Sequence, residues 1–198
     1  MIMEFTQKQS IKIASALLLL TVISQALYTG LYLAANDIPR QWLWGLEGLV
    51  FVLLAAFAGS VLVQAKQYTL GFSAILASAI LNLVQVGIGL TQFGPFREVA
   101  QTIEGVAPAA GSVVALSFFI YNAAKVLLGL SAIVFGSAIS QAGSKILGKL
   151  TVFVGVVAIV ANAIVMIFGR IEAVPSGATG VVATLLLAIC LLKLQSDD

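Results

Sequence analysis

The sequence predicts an all-α, polytopic membrane protein: six transmembrane helices arranged as three repeated helical hairpins. Three observations carry that expectation. Six long apolar runs fill most of the 198 residues, and the few charges (9% of the chain) fall almost entirely in the gaps between them. Mean hydropathy is +1.11, a value that suits hydrocarbon rather than water as solvent. A short residue pattern also recurs at a fixed offset.

The runs lie at about residues 11–35, 42–65, 69–92, 113–140, 147–169 and 177–194, with short connections, so residues 1–198 read as a single transmembrane domain. Each matches the ~17–25 apolar residues that cross a hydrocarbon core of ~30 Å as a helix. The runs are continuous rather than alternating, which favours helix over strand. In lipid a helix also satisfies its own backbone hydrogen bonds.

In the first run, Lys8 and Lys12 precede the apolar stretch, and Leu33-Ala34-Ala35 has the small residues of a signal-peptide cleavage site. The apolar part is longer than the ~7–15 residues of a signal peptide, so a retained first helix is expected. It offers a small and polar stripe of Ala14, Thr21, Gln25, Tyr28 and Tyr32. The second run opens on Trp42 and Trp44, rings that suit a membrane interface, and carries Glu47 just over one turn inside. Along the third, Gly71, Ala74, Ser78, Asn82, Gln85, Gly89 and Gln92 recur at helical spacing and form one polar, small-residue face. Residues 93–112 are the longest polar stretch and read as a loop. The fourth run holds Lys125 on a face with Asn122, Gly129, Ala132 and Gly136; the fifth repeats the small stripe with Gly148, Thr151, Gly155, Ala158 and Asn162. The sixth ends near Cys190, whose lack of a second cysteine excludes a disulfide within one chain.

Charge sets the expected orientation. Lys8, Lys12, Lys66, Lys145, Lys149 and Lys193 fall on one side; Arg40, Arg97 and Arg170 fall on the other, each near an acid. Six basic residues against three put both termini in the cytoplasm, in the cell (inner) membrane, by the positive-inside rule.

The repeat reads Gly59-Ser60, Gln64-Ala65, Leu70-Gly71 and then Gly136-Ser137, Gln141-Ala142, Leu147-Gly148, an offset of 136 − 59 = 77. Gln85 shifted by that offset lands on Asn162. Before each inward-going helix stands an acid and then a proline: Asp37 and Pro39, Glu104 and Pro108, Glu172 and Pro175. Proline fits the first turn of a helix, and an acid there complements the helix dipole. Spans 1–2, 3–4 and 5–6 therefore read as three hairpins from one unit.

Several function classes are disfavoured. The net charge of +2 makes nucleic acid an unsuitable partner. With no histidine, ordinary haem ligation, most zinc chemistry and histidine acid–base catalysis have no ligand or base to use. No phosphate-binding loop or nucleophile elbow is present, so no cofactor, metal or catalytic residue is expected; only Glu47 with Lys125 offers an unusual route to catalysis.

The polar residues in lipid define the candidate site. Glu47 and Lys125 come to nearly the same depth under the repeat, and an isolated charge at mid-bilayer costs at least ~2.5–3.5 kcal/mol, so the two should pair, directly or through a water. Gln25, Ser78, Asn82, Gln85 and Asn162 form either a polar path or helix-contact glue, and Arg40, Trp42, Trp44, Phe96, Arg97 and Arg170 form an outer rim. Two functions follow. One is a small transporter, or the membrane-embedded solute-binding subunit of one, with outward-going helices 1, 3 and 5 lining the path. The other is a structural subunit that assembles a larger membrane complex. Partners in either case are the lipid bilayer and other membrane subunits or further copies of the chain.

Overall fold

The computed structural model describes residues 5–34, 41–169, 171 and 173–194. Among them are six helices long and apolar enough to cross a membrane: α1 (Gln7–Leu33), α2 (Gln41–Gln64), α3 (Thr69–Thr102), α4 (Ala107–Gln141), α5 (Lys145–Phe168) and α6 (Ser176–Leu194). By length and composition this is a membrane-embedded helical bundle.

Local chemistry sets several ends. Thr6 caps α1: its hydroxyl accepts from the Gln9 amide, and the Gln9 side chain accepts in return from the Thr6 backbone N–H. Two orphan donors of the first turn are thereby satisfied. Pro108 sits in the first turn of α4, where a missing N–H costs nothing. Between α2 and α3 the chain turns through Tyr68, held at φ 58°, with its ring 5.8 Å from that of Phe135.

The connection between α3 and α4 departs from the expected loop. α3 runs on to Thr102 through Pro95, and only a short 3₁₀ turn, Glu104–Val106, separates it from α4. At 1.5 Å per residue, helices of this length reach ~50 Å, well past a ~30 Å core. Their distal ends therefore project as a helical hairpin carrying Phe96 and Arg97. Proline removes one backbone bond and usually kinks or breaks a helix. Here the residues after it, Phe96 to Gln101, resume helical bonding.

Side-chain and backbone contacts fix an up-and-down order. Ser10 meets Ser60 and Gln25 meets Glu47 between α1 and α2. Ser131 donates to the Gly71 carbonyl and Gln85 to Ser117 between α3 and α4. Thr151 meets Cys190 and Asn162 meets the Ser176 carbonyl between α5 and α6. In each pair one residue number rises as the other falls, so the neighbours are antiparallel. Lys8, Lys12, Lys66, Lys145, Lys149 and Lys193 thus share one end of the bundle.

The helices close into a ring. α1 packs on α2, α2 on α3, α3 on α4, α4 on α6, and α6 back on α1, while α5 lies outside and, among the described helices, meets only α4 and α6. Leu18, Phe51, Leu54, Ile75, Phe135, Ile139, Leu187 and Leu191 fill the interior. Lipid is as apolar as these side chains, so close van der Waals packing rather than water expulsion holds them together. The α4–α5 seam is the tightest. A Cβ on Gly136 would stand 2.9 Å from the Gly148 carbonyl oxygen, and one on Gly155 would stand 2.8 Å from that of Gly129. Glycine at these four positions lets two backbones touch. The α4–α6 contact has no counterpart between α2 and α4, or between α2 and α6. The packing is therefore less regular than three equivalent hairpins would give.

Candidate functional site

α1, α2 and α4 each send one polar side chain into the ring, from Gln25, Glu47 and Lys125. The Gln25 amide nitrogen donates to Glu47 Oε1 at 2.7 Å. Lys125 Nζ donates to Gln25 Oε1 at 2.8 Å. The expected pairing of Glu47 with Lys125 thus runs through a side chain rather than directly or through a water. The two charges fix the amide's orientation: its nitrogen must face the carboxylate and its oxygen the ammonium. The α1 and α4 backbones do not pack together, so the long lysine stem spans the gap.

Both charges are buried: Lys125 is 1% exposed and Glu47 6%. An ammonium taken out of water needs compensation, and three features supply it. The Gln25 oxygen is the first. The second is the Tyr121 ring, one turn earlier on α4, whose centre lies 5.0 Å from Nζ. The third is Glu47, reached through Gln25. Lys125 has three donors and Glu47 two acceptor oxygens, so one hydrogen bond apiece among the described residues leaves spare capacity on each.

One glycine of α6, Gly180, makes room for the lysine, and Gly177 lies beside Tyr121. A Cβ on Gly180 would stand 2.7 Å from Lys125 Cδ and 2.9 Å from Cγ. One on Gly177 would stand 3.8 Å from the Tyr121 hydroxyl. Gly180, near the start of α6, therefore gives the lysine stem its bed.

An aromatic layer covers the charges on the side away from the lysine-rich end. Trp44, one turn before Glu47, stacks on Tyr28, one turn after Gln25, with ring centres 5.3 Å apart and planes 19° apart. Phe93 meets Trp44 edge-on at 5.7 Å. The indole lies over Gly89, where a Cβ would come within 2.8 Å of Cζ3. Toward the lysine-rich end, buried Leu18, Phe51 and Leu54 close the ring.

The remaining candidates scatter. Asn82 donates to the Ser78 carbonyl at 2.9 Å and to its hydroxyl at 3.2 Å, within its own helix. Gln85 reaches Ser117 of α4 at 3.3 Å. Asn162 donates to the Ala158 carbonyl at 2.7 Å and the Ser176 carbonyl at 3.3 Å. α5 touches neither α1 nor α3, so Asn162 does not share a surface with Gln25 and Gln85. Among the described residues, the buried oxygens Asn82 Oδ1, Asn122 Oδ1 and Asn162 Oδ1 have no hydrogen-bond partner. Of the expected rim, Trp42 is exposed, Trp44 is half-buried in the aromatic layer, Phe96 and Arg97 lie on the projecting α3 end, and Arg40 and Arg170 fall outside the described residues.

Tyr121, Ser117, Gly177 and Gly180 were not singled out from sequence. Tyr121 carried a usable signal, an aromatic ring four residues before a lysine in an apolar helix. Gly180 carried none, because glycine is common in membrane helices. Comparison with protein-family models, curated proteins and solved structures finds no match.

Proposed function

We propose that this chain is a small membrane transporter, or the membrane-embedded solute-binding subunit of one, seen in an occluded state. The carrying observation is the Glu47–Gln25–Lys125 chain inside the ring. A lock made only for stability would be better served by direct contact or by apolar packing. A neutral amide between the charges leaves each with unused hydrogen-bonding capacity. Intramembrane ionisable groups of this kind commonly mark solute or ion pathways. The Tyr28–Trp44–Phe93 layer stands where an outer gate would, above the charges.

The finer points belong to the same proposal. Both termini face the cytoplasm in the cell membrane, supported by six lysines at one end of the sequence pattern and three arginines at the other. Three duplicated hairpins are supported by the Gly-Ser, Gln-Ala and Leu-Gly pairs at offset 136 − 59 = 77. Gln85 and Asn162 also each bond to the next helix of their own hairpin.

One observation favours the second reading, an assembly subunit: Asn82 and Asn162 are almost fully buried, and Asn162 bonds across to the Ser176 carbonyl of α6, as contact glue does. A labelling experiment separates the two. In a Cys190→Ala background, Gln25→Cys should react with a membrane-impermeant thiol reagent applied to the face opposite the termini. Asn162→Cys should stay unreactive. Silence at Gln25→Cys in folded protein, at every solute condition tried, would favour the assembly reading.

A further inference from the structure

The lysine-rich ends of α4 and α5 enclose a groove of about 580 Å³ on the outside of the bundle. Its polar lining is Ser137, Ser140 and Gln141 from α4 and Lys149 from α5. Its apolar lining is Val152, Phe153 and Val156, further along α5. Because the helices are antiparallel, the polar groups gather at the membrane-surface end and the apolar wall descends toward the bilayer centre. Val156 lies 156 − 149 = 7 residues beyond Lys149, which is about 10 Å of helix. The groove follows the α4–α5 seam, where Gly136, Gly148 and Gly155 bring the two backbones into contact. Lys149 is exposed, as are Phe153 (66%) and Val156 (45%).

We propose that this groove binds one anionic phospholipid. The observations match that ligand in two independent ways. A single cation with two serines and an amide suits a phosphodiester headgroup, since basic pockets between membrane helices are where anionic headgroups settle. The adjoining apolar wall suits the first part of an acyl chain. A free phosphate would use only the upper half of the site. The site lies on a different face from the Glu47–Gln25–Lys125 chain and does not depend on transport.

Delipidated protein in mild detergent, read by native mass spectrometry, tests this. Dioleoyl phosphatidylglycerol should bind one copy about fivefold more tightly than dioleoyl phosphatidylcholine, the worth of one lysine against an anionic lipid. Lys149→Gln should erase that preference, and Lys66→Gln, a lysine at the same end of the bundle, should keep it. Dihexanoyl phosphatidylglycerol should bind more weakly than the dioleoyl lipid. Retained preference in folded Lys149→Gln protein would overturn the proposal. So would equal binding of the short-chain lipid, or displacement of the long-chain lipid by inorganic phosphate, since either would make the site an anion site alone.

Discussion

Lys125→Met and Glu47→Leu, singly and together, give a double-mutant cycle on the buried charge chain. Each single substitution leaves one charge buried beside a neutral amide. Breaking a buried pair in this way costs about 3–5 kcal/mol. Two independent losses would therefore sum to about 6–10 kcal/mol. The double variant removes both charges and leaves only the Gln25 amide without partners. That costs about 1–3 kcal/mol, toward the low end because Gln25 is half-buried. The coupling should then be at least about 3 kcal/mol. Neutral polar contacts between membrane helices give only ~0.6 kcal/mol on average. The assay is reversible unfolding in bicelles by steric trapping, with detergent titration followed by circular dichroism as a check. A coupling under about 1 kcal/mol, inside the range of ordinary interhelical glue, would refute the claim that the charges act as a pair through Gln25. A double variant no more stable than either single would do the same.

Two other outcomes follow from named contacts. Gly180→Ala should destabilise by about 1–3 kcal/mol through overpacking against the lysine stem, measured in the same unfolding assay; combined with Lys125→Ala, which removes the colliding atoms, the penalty of the added methyl should largely disappear. Asn82→Leu should fall within about 1 kcal/mol of wild type or be slightly more stable, because it removes a buried amide oxygen that has no partner; a loss above about 3 kcal/mol would mean that Asn82 holds something not visible in its present bonds.

Much of the bundle was legible because the bilayer imposes a simple rule. A helix that spans it must be long and apolar, and charges must sit at its ends or pair inside. That rule located all six helices and called for Glu47 and Lys125 to pair, while the repeat offset put them at nearly one depth. It did not reveal that Gln25 would stand between them. Depth along a helix is readable from sequence, but the rotation that aims Gln25 inward depends on packing around the whole ring. The rule was also silent beyond the hydrocarbon. There α3 continues through Pro95 because helical bonding resumes after it, whereas a polar segment containing proline and glycine reads as loop. The amide stripes were visible, but periodicity names a face without naming its neighbour. α4 packs on α6, which leaves α5 outside the ring, and Asn162 is thereby separated from Gln25 and Gln85.

The central claim is that Gln25 bridges a charge pair that opens and closes. Its most direct test is a distance distribution between α1 and α4 in lipid. Spin labels at Leu33 and Phe119, both exposed, in a Cys190→Ala background report the separation of the two helices near the aromatic layer by pulsed electron–electron resonance. The account predicts two populations in bilayers, with the longer distance enriched when Gln25→Leu removes the bridge. One narrow distance, unchanged by Gln25→Leu in folded protein, would contradict it and mark the chain as a static helix contact.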